Sequence, residues 1–468
     1  MLSIVADNRR CSRREILSIG SLGFAGFTLA NLLAAEKVGA AIQDHVVRGK
    51  SVIFLLQHGG PTQFETFDPK LDVPDGIRTV GGVTRTSIPG VTFGATMSDI
   101  ARHAHRLAIV RSYSTGSSAH SNRPLISKSS LGANIGSLYS RIAGATNPRT
   151  GMPTNITLFP NSIDPDALGP DERFGKFSAT GSFSKTCEPF APGGGSMLQE
   201  NMKLTLPAGR FDDRRGLLRS LDRLKRELDS SGALEGVEKL RQQAISMVLK
   251  GAADAFNLDD EDPRTLARYD TAHFVDETRF ADKKNGKNER RWYQNNAQAL
   301  GRLLLLARRL CESGCRFVTV TTRFVWDMHG DQNNLGVERG MEAVGRPYNR
   351  AVSAFIEDCE ARGLSDDILL VSTGEMGRTP KINNRGGRDH WGRLTPLMLY
   401  GGGITAGQVI GKSERDGSQP AVDPYNSDHL VSTIMHTLFD MGELRVEQGF
   451  PAELTRMISN GTPISGLH

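Results

Sequence analysis

Three short stretches in the last third of this chain combine carboxylates with imidazoles or guanidiniums. Trp326-Asp327-Met328-His329-Gly330-Asp331 follows an apolar run at 316–322. Gly374-Glu375-Met376-Gly377-Arg378-Thr379-Pro380 follows a second run at 368–372. Gly387-Arg388-Asp389-His390-Trp391 precedes a third at 394–400. Carboxylate oxygens and imidazole nitrogens delivered together by successive strand ends are the donors of a divalent metal site. Asp327 and His329 stand two residues apart, so an extended backbone points both to one side. The same spacing also suits a hydrogen-bonded loop pair. Glu375 reads as a ligand or as the cap of a following turn. Asp389 and His390 read as two ligands, or as an acid that orients an imidazole. His58, at the end of the first apolar run, is a further ligand candidate or a satisfied turn histidine. Together they predict a centre for zinc, manganese, calcium or magnesium, and so a metal-assisted enzyme.

A second concentration of chemistry runs from Arg111 to Arg123. It holds Ser112, a series of further hydroxyls, His120 and Ser121. A helix starting near Ser121 would turn its amides and dipole toward an anion. Arg111 and Arg123 suit phosphate or sulfate oxygens. A serine or threonine nucleophile here needs a bound cation to activate it, and nothing singles out one hydroxyl. A polar surface loop has the same composition. Other chemistries lack their signatures. The chain has no His-Glu-x-x-His, no P-loop and no Gly-x-Ser-x-Gly elbow. Gly401-Gly402-Gly403 does not have dinucleotide-fingerprint spacing.

The elements that must position these residues alternate. Strands are expected at 50–57, 107–110, 152–159, 316–322, 367–372 and 394–400. Helices are expected at 94–105, 131–144, 292–311, 344–362 and 428–441. Such alternation means an α/β fold with a mainly parallel sheet covered on both faces. Open parallel sheets bind ligands at the carboxyl ends of their strands, where the candidates lie. Leucines at helical spacing among charges mark a helical insertion at about 212–290. The α/β domain is read as 48–445, with a C-terminal tail at 446–468.

Of 468 residues, 38% are hydrophobic, which fits a globular protein. The net charge is +5, and four leader arginines against two acids supply part of it. The remainder is too small to argue for nucleic acid. Residues 1–40 read as a twin-arginine export signal: Arg13 and Arg14 precede a weakly apolar, glycine-containing stretch. The twin-arginine translocase is therefore an expected partner, and the periplasm or exterior the expected destination. Cys187, Cys311, Cys315 and Cys359 match no disulfide framework or zinc ribbon. Cys311 and Cys315 read as a buried apolar pair.

The segments SRREIL, SVIFLLQHGGPTQFETFDPK, LAIVRS, RRLCESGCRFVTV, WDMHGD, GEMGRTPKI, GRDHW and GGGI resemble domain-of-unknown-function family 1501 of bacterial exported proteins. That family is similar to the alkaline phosphatase and sulfatase superfamily. The resemblance implies a three-layer α/β/α sandwich with a metal-dependent site at the sheet edge. It implies hydrolysis or transfer of phosphate or sulfate esters. On it, Asp327 and His329 form one ligand pair, and Asp389-His390 is the late histidine region. The nucleophile then lies within 112–121 rather than at Thr62. The chain departs from the pattern at Gln57-His58, where relatives supply an aspartate. It departs again at Glu375-Met376, where they supply Asp and His. The sulfatase Cys-x-Pro-Ser-Arg motif is absent, and Cys187-Glu188-Pro189-Phe190 does not replace it. One metal or an altered pair is expected. The resulting expectation is an exported hydrolase of small-molecule or polysaccharide esters, with Arg378, Arg388, Arg111 or Arg123 steadying the anion. The alternative is a non-catalytic exported binding or envelope-associated protein with a degenerate or structural metal site.

Overall fold

In the computed structural model, which describes residues 5–6, 9–10, 45–193, 252–275 and 287–468, the first apolar run forms β1 (Ser51–Leu56) and is buried throughout. Val52, Phe54 and Leu56 enter one core, and Ile53 and Leu55 the other. A strand covered on both faces needs this continuous apolar run. A hairpin of β2 (Val83–Arg85) and β3 (Thr92–Gly94) follows. Next come β4 (Leu107–Val110), β5 (Asn155–Leu158), β6 (Phe317–Thr321) and β7 (Ile368–Thr373). The chain then forms a two-stranded ribbon, β8 (Gly377–Ile382) with β9 (Arg388–Trp391). It closes the sheet with β10 (Leu397–Gly401) and β11 (Gln408–Ile410).

The main sheet has seven strands in the order β11-β4-β10-β7-β1-β6-β5. All neighbours are parallel except those of β10, which runs antiparallel to both β4 and β7. The reason is local. Only the β8–β9 ribbon separates β7 from β10, so no crossover helix carries the chain back to the starting edge.

One face of the sheet is covered by α1 (Ser98–Arg102), α4 (Lys287–Glu312) and α6 (Arg346–Arg362). The other is covered by α2 (Ile135–Ala143), α7 (Ser427–Leu438), α8 (Met441–Val446) and α9 (Ala452–Asn460). The short helices α3 (Pro263–Arg268) and α5 (Val337–Gly340) complete the set used below. The expected three-layer α/β/α class with a mainly parallel sheet is therefore the observed one.

The region read as a C-terminal tail is packed rather than loose. Leu454, Ile458, Ile464 and Leu467 are each no more than 1% exposed, because α9 is amphipathic and returns its apolar stripe to the second core. Most of the expected insertion, 194–251 and 276–286, lies outside the described residues, as does the export signal apart from 5–6 and 9–10. Residues 287–290, read as its end, belong to α4. Among the described residues no helix is long and apolar enough to cross a membrane. All four described cysteines are buried, as expected of the Cys311–Cys315 pair.

A buried ionic network ties the segment before α3 to the two long helices. Arg308 on α4 is 1% exposed and bonds Glu261 at 2.7 Å, Glu312 at 2.5 Å and Asp358 of α6 at 3.0 Å. Arg309 and Arg362 reach Glu261 at 3.1 and 2.8 Å. Burial opposes ionisation of Glu261, but bonds and charge from these three arginines outweigh it and bring its pKa from 4.5 down to about 2. A depressed carboxylate adds stability that is complete above its unfolded pKa and is lost as pH falls through the folded one. Urea unfolding of wild type and Glu261→Gln should therefore show a constant gap above about pH 5 that closes toward about pH 2.

Candidate metal centre

The site lies at the C-terminal edge of the parallel strands. Glu375 follows β7 by two residues, and Asp327 and His329 leave the turn after β6. His120 comes from the long connection after β4, and His390 and Arg378 face one another across the β8–β9 ribbon. Four separate chain segments thus meet at one place.

Asp327, 7% exposed, is the centre of the arrangement. Its Oδ1 lies 3.0 Å from His329 Nε2, 3.3 Å from His390 Nε2 and 2.7 Å from Arg378 Nη2. Its Oδ2 lies 3.3 Å from His120 Nε2 and accepts from Asn334 Nδ2 at 3.2 Å. His329 Nε2 and His390 Nε2 approach to 2.9 Å. Two imidazole nitrogens face each other this closely only with a proton or a cation between them. Donors of a tetrahedral ion with bonds of about 2.0–2.1 Å stand about 3.3 Å apart. Donor type and separation therefore fit a divalent metal.

Two further carboxylates stand behind the histidines. Glu375, fully buried, accepts from His120 Nδ1 at 2.9 Å and from the Gly59 amide at 3.0 Å. Asp389 accepts from His329 Nδ1 and from Asn383 Nδ2, each at 3.0 Å. The electrostatics follow these bonds. Burial disfavours the charged form of His120, but its bonds to Asp327 and Glu375 outweigh that and push its pKa up to about 9. The bond to Asp327 raises that of His329. Burial also opposes ionisation of Asp327, yet the bonds from His120, His329 and His390 and the Arg378 charge hold its pKa far below the usual range. At Asp389 the bonds from His329 and Asn383 likewise outweigh burial and lower it.

Of the expected ligands, Asp327, His329 and His390 converge with their donor atoms. Glu375 and Asp389 meet histidines instead. His120, expected in catalysis, joins the metal donors. His58 does not join them: it is 1% exposed, its ring lies 3.9 Å from Phe324 and 5.8 Å from Phe177, and its Nε2 has no partner. Burial among these rings lowers its pKa and keeps it neutral.

The remaining expected residues are used elsewhere. Ser112 is fully buried with its Oγ packed against Gly411. Ser121 Oγ accepts from the Arg123 amide at 3.4 Å, and no helix begins there; a short 3-10 turn follows at Lys128–Ser130, and the next α-helix, α2, starts at Ile135. Arg111 is drawn away by Asp68 at 3.4 Å and by the carbonyls of Phe67 and Thr92. Arg378 is fully buried and donates to the carbonyls of Gly59, Gly60, Trp326 and Arg388 as well as to Asp327. Arg388, also fully buried, pairs with Glu65 at 2.9 Å and donates to four carbonyls. These two guanidiniums fasten loops, because every guanidinium nitrogen they carry bonds the protein itself. Of the four arginines expected to steady an anion, Arg123 is the one whose side chain makes no hydrogen bond or ion pair among the described residues.

Sequence reading missed Asn383, Asn334 and Gly387. Asn383 binds Asp389 and the His329 carbonyl, each at 3.0 Å. A Cβ on Gly387 would lie 2.1 Å from the His329 carbonyl carbon and oxygen. Gly387→Ala must therefore push the His329 backbone aside. It is expected to weaken metal affinity by about 10-fold or more and to cost about 1–3 kcal/mol. Metal titration alongside urea unfolding checks both. The signal for Gly387 was its place directly before Arg388-Asp389-His390. The two large cavities described, about 720 and 430 Å³, include no donor of this centre.

Fold and site together define an α/β/α sandwich with a histidine-rich candidate metal centre at the sheet edge. The chain belongs to the family described as "Protein of unknown function (DUF1501)", whose model matches residues 49–466. No curated protein matches the sequence significantly. Among solved structures, it is similar to the lipoteichoic acid synthase LtaP from Listeria monocytogenes, at 11% identity and TM-score 0.32, over 91% of this chain and 82% of that one. It is also similar to the PsFucS1 sulfatase from Pseudoalteromonas sp., at 11% identity and TM-score 0.33, over 86% and 76%. The alkaline phosphatase of the Antarctic bacterium TAB5 matches at 12% identity and TM-score 0.27, over 86% and 100%.

Proposed function

We propose that this protein is an exported, metal-dependent hydrolase of a phosphate, sulfate or related ester. The observation that supports it is the convergence of Asp327, His120, His329 and His390 at the C-terminal edge of a parallel sheet. A divalent ion bound there supplies Lewis acidity and lowers the pKa of water.

The chain's own residues shape the rest. Glu375 and Asp389 hold two imidazoles in one orientation through their Nδ1–H groups. Phe174 and Phe324 lie 5.1 and 5.0 Å from the His120 ring and exclude water from that side. Among the four candidate arginines, Arg123 is the uncommitted one left to meet an anionic group. Among the described residues no serine or threonine hydroxyl bonds Asp327, His120, His329 or His390. That favours water, rather than a side-chain hydroxyl, as the attacking group. The same observation, with the commitment of Arg378 and Arg388 to carbonyls, favours the second reading: a non-catalytic exported protein with a structural ion.

The deciding experiment is metal analysis of the purified mature protein, paired with phosphate monoesters, phosphate diesters and sulfate esters. Bound metal with turnover that chelation abolishes is the expected result. Bound metal without turnover on any ester selects the second reading, and metal-free protein indifferent to chelator sinks both. For export, a double variant Arg13→Lys, Arg14→Lys should leave the precursor in the cytoplasmic fraction, whereas the wild type leaves it.

A further inference from the structure

We infer that the centre selects a single ion of the nitrogen-preferring class, zinc above magnesium or calcium, with Glu375 and Asp389 as positioning carboxylates rather than ligands. The inference rests on the metal reading above but not on the hydrolysis.

The donor count carries the choice of ion. Two imidazole nitrogens and one carboxylate, from His120, His390 and Asp327, lie close enough to share an ion, and His329 adds a third imidazole beside Asp327 and His390. Magnesium and calcium bind through oxygen, calcium with six to eight such donors. Imidazole suits zinc, iron, nickel and copper. One carboxylate among three histidines is a poor site for a hard cation and a good one for zinc.

The number follows from the acids. His120, Asp327 and His390 place donor atoms within 4.8 Å of one another. His329 joins the same Asp327 oxygen and the same His390 nitrogen. Both sets use the one His390 Nε2, which binds a single ion at a time, so they are not two complete sites. A second divalent ion needs further negative charge, and the neighbouring acids are spent. Glu375 serves His120 and the Gly59 amide, Asp389 serves His329 and Asn383, and Glu65 serves Arg388.

Their directions also assign the roles of Glu375 and Asp389. Each accepts the Nδ1–H of a different histidine, which fixes the tautomer with a bare Nε2 toward the locus. Two unrelated segments, one after β7 and one on β9, use the same arrangement.

The test is calorimetric titration of the chelator-stripped mature protein with zinc, cobalt, magnesium and calcium separately. One equivalent of zinc or cobalt is expected, bound at least about 1,000-fold more tightly than magnesium or calcium. Glu375→Gln and the half-exposed Asp389→Asn should keep one equivalent with affinity reduced about 10- to 100-fold. Metal-free melting of Asp389→Asn should match the wild type, so that a merely structural role is separated from positioning. Two equivalents, comparable magnesium or calcium binding, or an unchanged affinity in both variants overturns the inference. So does complete loss of binding in either well-folded variant, which would make that acid a ligand. Zinc bound as described without ester turnover removes the hydrolase reading alone. Turnover supported by magnesium or calcium with no zinc site removes this inference alone.

Discussion

Asp327→Asn is expected to lose the metal and with it any hydrolysis. Asp327 is the one carboxylate that all three histidines share, through two oxygens that point to different partners. Asparagine keeps the size but replaces one acceptor by a donor and removes the charge. Its amide would face either the Asn334 amide or the Arg378 guanidinium with hydrogen against hydrogen. Replacing even an outer partner of a metal ligand costs up to about 100-fold in affinity, so loss of the shared ligand should exceed about 100-fold. The variant also leaves the buried Arg378 without its counter-charge, a defect of about 3–5 kcal/mol. His390→Gln separates the two effects: it should lose metal while Asp327 and Arg378 stay paired. Metal content, urea unfolding and ester turnover measured on both variants check the assignment. A full equivalent of tightly held metal in Asp327→Asn would place the centre elsewhere.

Strands β1 and β7 are legible in the sequence because a strand covered on both faces is an unbroken apolar run. Their ends place His58 and Glu375 at the sheet edge to within two residues. The edge is therefore readable, but the direction of each side chain along it is not. His58 turns into the rings of Phe324 and Phe177, which are distant in sequence. Glu375 turns to the Gly59 amide, 316 positions away. His120 was visible as chemistry in a polar loop, yet its partnership with Asp327 depends on how that loop crosses the edge. The β8–β9 ribbon was invisible for a different reason. Its first strand carries Pro380 and little apolar surface, so it has no strand signature. What holds it is the burial of Arg378 and Arg388 against backbone carbonyls, a property of the folded chain alone. Arginines beside acids and histidines read equally well as anion binders, and only the presence of those carbonyls decides between the two.

That decision makes Arg378→Lys the sharper test of the ribbon. Arginine presents its N–H donors in a planar fork, and here its three nitrogens reach four carbonyls and one carboxylate. The acceptors come from the turn after β1, the turn after β6, and β9, so one side chain fastens three segments of the site. Lysine keeps the charge but brings three donors from a single point, and its shorter head cannot reach both Gly60 and Arg388. Each buried carbonyl left without a partner costs about 1–3 kcal/mol. Two such losses predict destabilisation of about 3–5 kcal/mol in urea unfolding. Asp327, released from its tether, should also bind metal more weakly. An anion-binding arginine would behave otherwise. There the lysine variant would unfold like the wild type, hold its metal, and show only a raised KM, because the point charge survives and no carbonyl is abandoned. The geometry requires the first result: Arg378 has no exposed surface through which a substrate could be met.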